Sequence, residues 1–146
     1  MRGAWNGKNA MMTKASASIA ALLLAAGCAS DAKHEQELTK QMSFFVASSG
    51  SAKGADLAGA DRQCQMLAVA AGAGGRTWRA YLRDRAAPDG RERIGRGPWY
   101  NANGVVIARN AEDLQANPNI NKQTALTEKG AVVEDRGDRL YCFAAS

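Results

Sequence analysis

The sequence predicts an α+β domain over residues 42–146, because one helical pattern comes early and several short strand patterns follow it. The chain has 146 residues, of which 46% are hydrophobic and 23% charged, a balance typical of globular proteins rather than disordered ones. The predicted domain spans about 105 residues, which is long enough to bury one modest hydrophobic core. We therefore expect one globular domain behind a short N-terminal region.

The main helix is predicted over the segment ADLAGADRQCQMLAVAAGA, which begins at Ala55. One face of it collects small and apolar residues at the spacing i, i+4, i+7, i+8 and i+11: Ala60, Cys64, Leu67, Ala68 and Ala71. Either Asp56 or Asp61 would lie near its N-terminus and complement the helix dipole. The glycine-rich residues 72–75 end the helix, and because they follow it, a phosphate-binding loop is not expected.

Five short segments have the composition or the alternation of strands: residues 42–48, 77–83, 105–108, 130–134 and 139–145. In the second of these, Trp78, Ala80 and Leu82 fall on one face, which predicts a half-buried strand. Residues 86–97 are predicted to form a loop, and residues 111–117 a single helical turn.

Residues 1–27 have the three zones of an export signal: a basic start, an apolar run and a small-residue end. The apolar run covers residues 19–26, too few to cross a bilayer of about 30 Å as a permanent helix. Met12 is an alternative to Met1 as the true start. We therefore expect export rather than a membrane-spanning segment.

The ending LLLAAGC resembles the lipobox of bacterial lipoproteins, in which a dedicated peptidase cuts before the cysteine. The resemblance implies that Cys28 becomes the first residue and carries diacylglycerol and fatty acid such as palmitate. Ala29, rather than Asp, follows the cysteine, which implies sorting to the outer membrane of a Gram-negative cell, facing the periplasm or the surface. The alternative is ordinary signal-peptidase cleavage, for instance after Ala26.

The net charge of the chain is +5, but residues 1–27 hold three basic residues and no acidic one. The remaining sixteen basic and fourteen acidic residues give +2, so nucleic acid is not an expected partner. Residues 28–41 form a polar stretch, interpreted as the lipidated cysteine and a tether. It contains His34, the only histidine, which we interpret as a solvated tether residue rather than a metal ligand or pH switch.

Three cysteines leave two for the domain if Cys28 is acylated. Cys64 lies on the predicted buried face of the helix, and Cys142 lies in the last predicted strand. In an oxidising compartment these two would pair and close a loop of about 78 residues, which stabilises a domain by roughly 4–5 kcal/mol in the chain-entropy account. The alternative is two separate buried thiols.

Four segments of the domain, GADRQCQMLA, TWRAYL, RIGRGPWYNA and LYCFA, resemble bacterial secreted domains with a C-type-lectin-like, endostatin-like fold. The resemblance covers most of residues 42–146. It implies one main helix packed on a small, twisted, mostly antiparallel sheet, with the last strand beside the first. It also implies an outer disulfide between the helix and the last strand, at the places of Cys64 and Cys142.

The chain departs from this family after Asp138. Family members continue there through a long segment with a second cysteine pair and a Trp-rich stretch, whereas this chain proceeds directly to RLYCFAAS. The long-loop region that usually carries the ligand surface is therefore expected to be incomplete.

The best candidate ligand contacts are an aromatic and asparagine cluster: Trp99, Tyr100, Asn101 and Asn103. Aromatic faces beside planar polar groups are typical of sugar recognition. The alternative is that Trp99 fills the core while the asparagines shape a hairpin. No calcium-lectin signature and no dense acidic loop occur, so no metal and no cofactor are expected.

Seven arginines and three acidic residues lie between Arg76 and Arg96, a local excess of +4. Arg93 and Arg96, directly before the aromatic cluster, are candidate contacts for an anionic glycan or lipopolysaccharide phosphate. The alternative is a solvated charged face.

No enzyme is expected, because the domain contains no histidine, GxSxG or HExxH motif; a glycosidase built on paired carboxylates is the class left open. The sequence thus predicts an envelope-anchored, non-catalytic binding domain for carbohydrate or anionic glycan. The alternative is a structural or protein-interaction lipoprotein, with an envelope protein as partner, whose degenerate lectin-like fold has lost ligand binding.

Overall fold

The computed structural model describes residues 25–81, 90–135 and 137–145 of the chain. Its helices are α1 (Ala25–Gln41), α2 (Leu57–Ala70), α3 (Gly90–Ile94) and α4 (Ala111–Ala116). Its strands are β1 (Phe44–Val46), β2 (Trp78–Tyr81), β3 (Trp99–Tyr100), β4 (Val106–Ala108) and β5 (Tyr141–Ala144). Of the expected export signal, only residues 25–27 fall within the described part. None of the helices described there is long and apolar enough to span a membrane.

The central sheet has three antiparallel strands in the order β1-β5-β2, so the last strand lies between the first two. Phe44 pairs with Phe143 on one side of β5, and Trp78 pairs with Ala144 on the other. A separate antiparallel hairpin, β3-β4, packs beside this sheet. A mixed helix and strand architecture with a small antiparallel sheet confirms the α+β prediction.

Most predicted elements are confirmed, including the main helix, the first and last strands and the turn of helix at α4. The predicted strand over residues 130–134 is wrong. Thr127 accepts a hydrogen bond from Gly130 N and donates its own N–H to the carbonyl of Ala131, so the chain turns tightly there. Only an isolated bridge, Leu126 to Val132, remains. The predicted loop over residues 86–97 contains α3 in its described part.

Asp56 is the N-cap of α2, which resolves the choice between Asp56 and Asp61. Its carboxylate accepts a hydrogen bond from Gly59 N at 2.6 Å, so one of the free N–H groups of the first turn is satisfied. Of the predicted inner face, Ala60, Cys64 and Ala68 are buried. Gly72, with φ of 79°, follows the helix, as the glycine-rich stop signal predicted.

The alternation of side chains along the strands divides the core into two clusters, one on each face of the sheet. The α2-side cluster lies under α2 and includes Met42, Phe45, Cys64, Trp78, Ala80, Leu140 and Cys142. The hairpin-side cluster lies under β3, β4 and α4 and includes Phe44, Val46, Ile94, Trp99, Ile107, Leu114 and Phe143.

Cys64 and Cys142 form a disulfide with their Cα atoms 5.5 Å apart. The bond joins α2 to β5, the central strand, and it lies in the α2-side cluster. The predicted pairing is confirmed, and the alternative of two separate thiols is excluded.

Residues 28–41, interpreted from sequence as a tether, belong to helix α1. The segment contains Ala, Lys, Glu and Gln, which are good helix formers and tolerate a solvated helix. Lys40 donates a hydrogen bond to Glu37 at 2.8 Å, and this bond together with the ammonium charge lowers the pKa of the Glu37 carboxyl. His34 is exposed on this helix.

Candidate functional site

The predicted aromatic and asparagine cluster does not form one exposed surface. Trp99 is 1% exposed, and its indole N–H donates to the carbonyl of Ile94 at 3.3 Å. Its ring meets that of Phe143 edge-on at 5.5 Å between centroids. Trp99 is therefore a core residue whose ring faces protein rather than solvent.

Asn101 is fully buried, and its side chain organises the turn that follows β3. The amide nitrogen donates to the carbonyl of Thr124 at 3.0 Å. The amide oxygen accepts from Asn103 N at 3.0 Å and from Val105 N at 2.9 Å. These bonds use the polar atoms of Asn101 internally, so it shapes the hairpin and is not exposed to a ligand.

Tyr100 and Asn103 lie closer to solvent than Trp99 and Asn101. Tyr100 is half-buried, because neighbouring residues of a strand point to opposite sides. Asn103 is exposed and lines a groove beneath α1. The structure thus places two of the four predicted contacts in the interior. Of the other two, Asn103 lines the groove beneath α1, whereas Tyr100 is not part of its described lining.

Three arginines of the predicted basic patch make internal contacts. Arg79 and Arg93 both donate to Asp61 Oδ2, and Arg76 donates to backbone carbonyls at the end of α1. Arg96 is exposed and also has an interaction within the protein. Of the other three, Arg83 and Arg85 fall outside the described residues, and the side chain of Arg91 is not described. The described arginines therefore offer much less unpaired charge than the sequence count of +4 predicts.

Asp61 and Gln65, one turn apart on α2, close the outer edge of β2. Asp61 Oδ1 accepts from Ala80 N at 2.8 Å, and Gln65 Oε1 accepts from Trp78 N at 2.9 Å. Positions i and i+4 on a helix have a spacing similar to positions i and i+2 on a strand, so the two side chains match two outward N–H groups. Sequence reasoning missed this closure, although the i, i+4 pair on the polar side of α2 was a usable signal.

The opposite edge of the sheet, along β1, is closed by backbone groups. Ser43 N donates to the carbonyl of Tyr100, and Val46 N donates to the carbonyl of Leu126, each at 2.9 Å. Neither of these edges offers the row of unpaired backbone groups that strand addition needs.

A groove of about 500 Å³ opens on the hairpin side of the sheet. The aromatic part of its lining comes from strands β2 and β5 and consists of Tyr81, Tyr141 and Phe143. The rest of the described lining consists of Leu114, Gln115, Pro118, Ile120 and Gly137. We call this the tyrosine groove. Sequence reasoning missed it, although the alternation of side chains along a strand implies that Tyr81 lies on the face opposite to Trp78.

The rings of the tyrosine groove are held by contacts to one another and to the core. Tyr81 meets Phe143 edge-on at 5.9 Å between centroids, and Tyr141 lies 6.1 Å from Phe44. Both tyrosines are only half-buried, so each presents part of its surface to the groove. A partly exposed aromatic ring held by neighbouring rings offers a pre-oriented surface for an apolar face of a ligand.

A second groove, of about 510 Å³, lies between α1 and the body of the domain. Asp31, His34 and Leu38 line it from α1, and Asn103 and Lys129 line it from the body. Glu128, also in its lining, is buried and accepts hydrogen bonds from Ser48 N and Ser48 Oγ. Within the described residues, no group of three or more His, Cys, Asp and Glu side chains has the arrangement of a metal site.

No protein-family model matches this chain, and neither a curated protein nor a solved structure shows significant similarity to it.

Proposed function

We propose that this chain is a lipid-anchored protein of the bacterial outer membrane and that residues 42–146 form a non-catalytic, C-type-lectin-like domain that binds carbohydrate. The observation that carries the proposal is the tyrosine groove, a recess of about 500 Å³ lined by aromatic rings on a disulfide-linked domain. Its volume falls within the range of small-ligand sites.

The ligand class follows from the mixture of groups in the groove. The partly exposed rings of Tyr81 and Tyr141 are suited to pack against the apolar face of a sugar ring. The two phenol groups and the amide of Gln115 supply hydrogen-bonding capacity for sugar hydroxyls. We therefore propose a carbohydrate with an exposed apolar ring face and free hydroxyl groups as the ligand of this lining.

The proposed role is binding, because the described lining combines apolar side chains with two phenol groups and an amide. Such groups hold a ligand by packing and by hydrogen bonds.

The anchor is proposed from the LLLAAGC segment and from the cysteine pairing. Cys64 and Cys142 are consumed by the disulfide, so Cys28 is the one cysteine left for a thioether to lipid. A disulfide of this kind persists in oxidising compartments such as the periplasm.

A second candidate is a structural or protein-interaction lipoprotein with a degenerate lectin-like fold. The burial of Trp99 and Asn101 favours it, because these are two of the four residues of the predicted aromatic and asparagine cluster. Under this candidate, crosslinking in intact envelopes recovers a specific partner protein and glycan arrays stay empty.

The test combines lipid labelling with glycan binding by the purified lipoprotein. Labelled palmitate should be incorporated by the wild-type chain and not by the Cys28→Ala variant. The wild-type protein should then bind a defined set of glycans on an array. Persistent labelling of Cys28→Ala would refute the anchor, and an empty array would refute carbohydrate binding.

A further inference from the structure

Helix α1 is fixed to the domain through its C-terminal end. Arg76 Nη2 donates to the carbonyl of Lys40 at 2.6 Å, and Arg76 Nη1 donates to the carbonyl of Met42 at 3.3 Å. The last carbonyls of a helix lack partners within the helix, and a cation there also complements the dipole. Arg76, which belongs to the body of the domain, therefore supplies hydrogen-bond donors to carbonyl groups at the C-terminal end of α1.

Side-chain packing adds a second contact between α1 and the body. Leu38 is half-buried and lies so close to Gly104 that a Cβ on the glycine would come within 3.0 Å of Leu38 Cδ2. Gly104 has φ of 73°, so its backbone conformation also favours glycine. Directly after α1, Met42 is buried in the α2-side cluster. The helix is thus joined to a rigid part of the fold rather than to a loose linker.

The side of the domain that carries α1 differs from the side that carries the tyrosine groove. The space beneath α1 is lined by Met42, which belongs to the α2-side cluster, and by Ala70 and Ala71 at the C-terminal end of α2. The tyrosine groove is lined by Leu114 and Phe143, which belong to the hairpin-side cluster. The described linings share no residue, and the central sheet separates the two clusters.

We propose that α1 holds the domain in a fixed orientation relative to the membrane. The side of the domain that carries α1 faces the membrane, and the tyrosine groove faces away from it. The proposal rests on the proposed lipidation of Cys28. Residues 28–41 would form a helical arm about 20 Å long at 1.5 Å per residue. Arg76 acts as a positioning residue, because its hydrogen bonds fix the helical arm to the body of the domain. In this orientation the tyrosine groove faces the aqueous compartment and is accessible to ligands there.

The experiment measures the depth of two probes in the full lipoprotein reconstituted into phosphatidylethanolamine and phosphatidylglycerol vesicles. A fluorophore is attached to Lys129→Cys on the α1 side or to Gln115→Cys at the tyrosine groove; both positions are exposed. A quencher on the lipid headgroups should quench the probe at 129 at least about threefold more than the probe at 115. Equal quenching, or stronger quenching at 115, would overturn the orientation.

Arg76→Ala tests the lock, with Arg62→Ala, an exposed arginine of α2, as the matched control. Arg76→Ala should bring the quenching ratio toward one while Arg62→Ala keeps it. A ratio that Arg76→Ala leaves unchanged would overturn the role of Arg76.

Vesicle flotation separates this inference from the proposed anchor. Wild-type protein that floats with vesicles, while Cys28→Ala does not, establishes the anchor, and the quenching ratio then decides the orientation alone. Failure of the wild-type protein to float would overturn both.

Discussion

The two faces of the central sheet are built from alternate residues of the same strands, yet they are closed in different ways. The α2 side is covered by a 14-residue helix, linked to β5 by the Cys64–Cys142 bond. Asp61 and Gln65 of that helix also bind the edge of β2. The hairpin side is covered by shorter elements and leaves Tyr81 and Tyr141 half-exposed.

This difference indicates a division of labour within a small domain. The α2 side is held by a covalent bond and by side-chain hydrogen bonds to the edge of β2. The hairpin side is held by aromatic contacts and by the buried Asn101, and it retains a groove. Changes on the α2 side should therefore alter stability, whereas changes at the groove should alter binding.

The largest expected effect concerns the disulfide on the α2 side. Cys64→Ala with Cys142→Ala should lower the free energy of unfolding by about 4–5 kcal/mol, because the bond closes a loop between residues 78 apart. Urea unfolding of the purified protein measures this, and chemical reduction of the wild-type protein should give a matching loss. A loss below about 1 kcal/mol would contradict the proposed difference between the two sides of the sheet, because the α2 side would then not depend on its disulfide.

The next effect concerns Asn101 on the hairpin side. Asn101→Ala should cost about 2–3 kcal/mol, because Thr124 O and Val105 N lose a buried partner. Asn103→Ala is the matched control, as its side chain is exposed, and it should stay within about 0.5 kcal/mol. Equal costs for the two variants in denaturant unfolding would mean that Asn101 does not organise the turn.

The smallest effect concerns the edge of β2. Asp61→Asn keeps the size of the side chain but removes the charge that Arg79 and Arg93 contact, and it should cost about 1 kcal/mol. Added salt should reduce the difference between this variant and the wild-type protein. Asp138→Asn, at an exposed position, is the control and should have little effect. If Asp61→Asn costs no more stability than Asp138→Asn, the ion pairs of Asp61 do not stabilise the α2 side. The disulfide alone would then account for the difference between the two sides of the sheet.

Sequence reasoning succeeded where local pattern determines structure. The spacing of Ala60, Cys64 and Ala68 gave the inner face of α2, and the alternation around Trp78 gave β2. The cysteine count led to the correct pairing, because few alternatives existed.

The site was harder to predict, because burial of a polar residue depends on tertiary contacts. Asn101 resembles a sugar contact in sequence, but Thr124, distant in the chain, supplies its buried partner. The arginine patch failed for a similar reason, since Asp61 lies in a different element from Arg93. The tyrosine groove combines side chains from β2, α4 and β5, which are far apart in the chain, and no local sequence motif predicts such a combination.

The most direct test of the central claim is the affinity of the Tyr141→Ala variant for the best glycan found with the wild-type protein. Tyr100→Ala is the matched control, because Tyr100 is also half-buried but lies outside the groove lining. We expect Tyr141→Ala to raise the Kd at least about tenfold, or roughly 1.4 kcal/mol, and Tyr100→Ala to change it less than about twofold. Tyr141→Phe, which keeps the ring, should retain most of the binding. Equal affinities of Tyr141→Ala and wild-type protein would contradict the assignment of the ligand surface to the tyrosine groove.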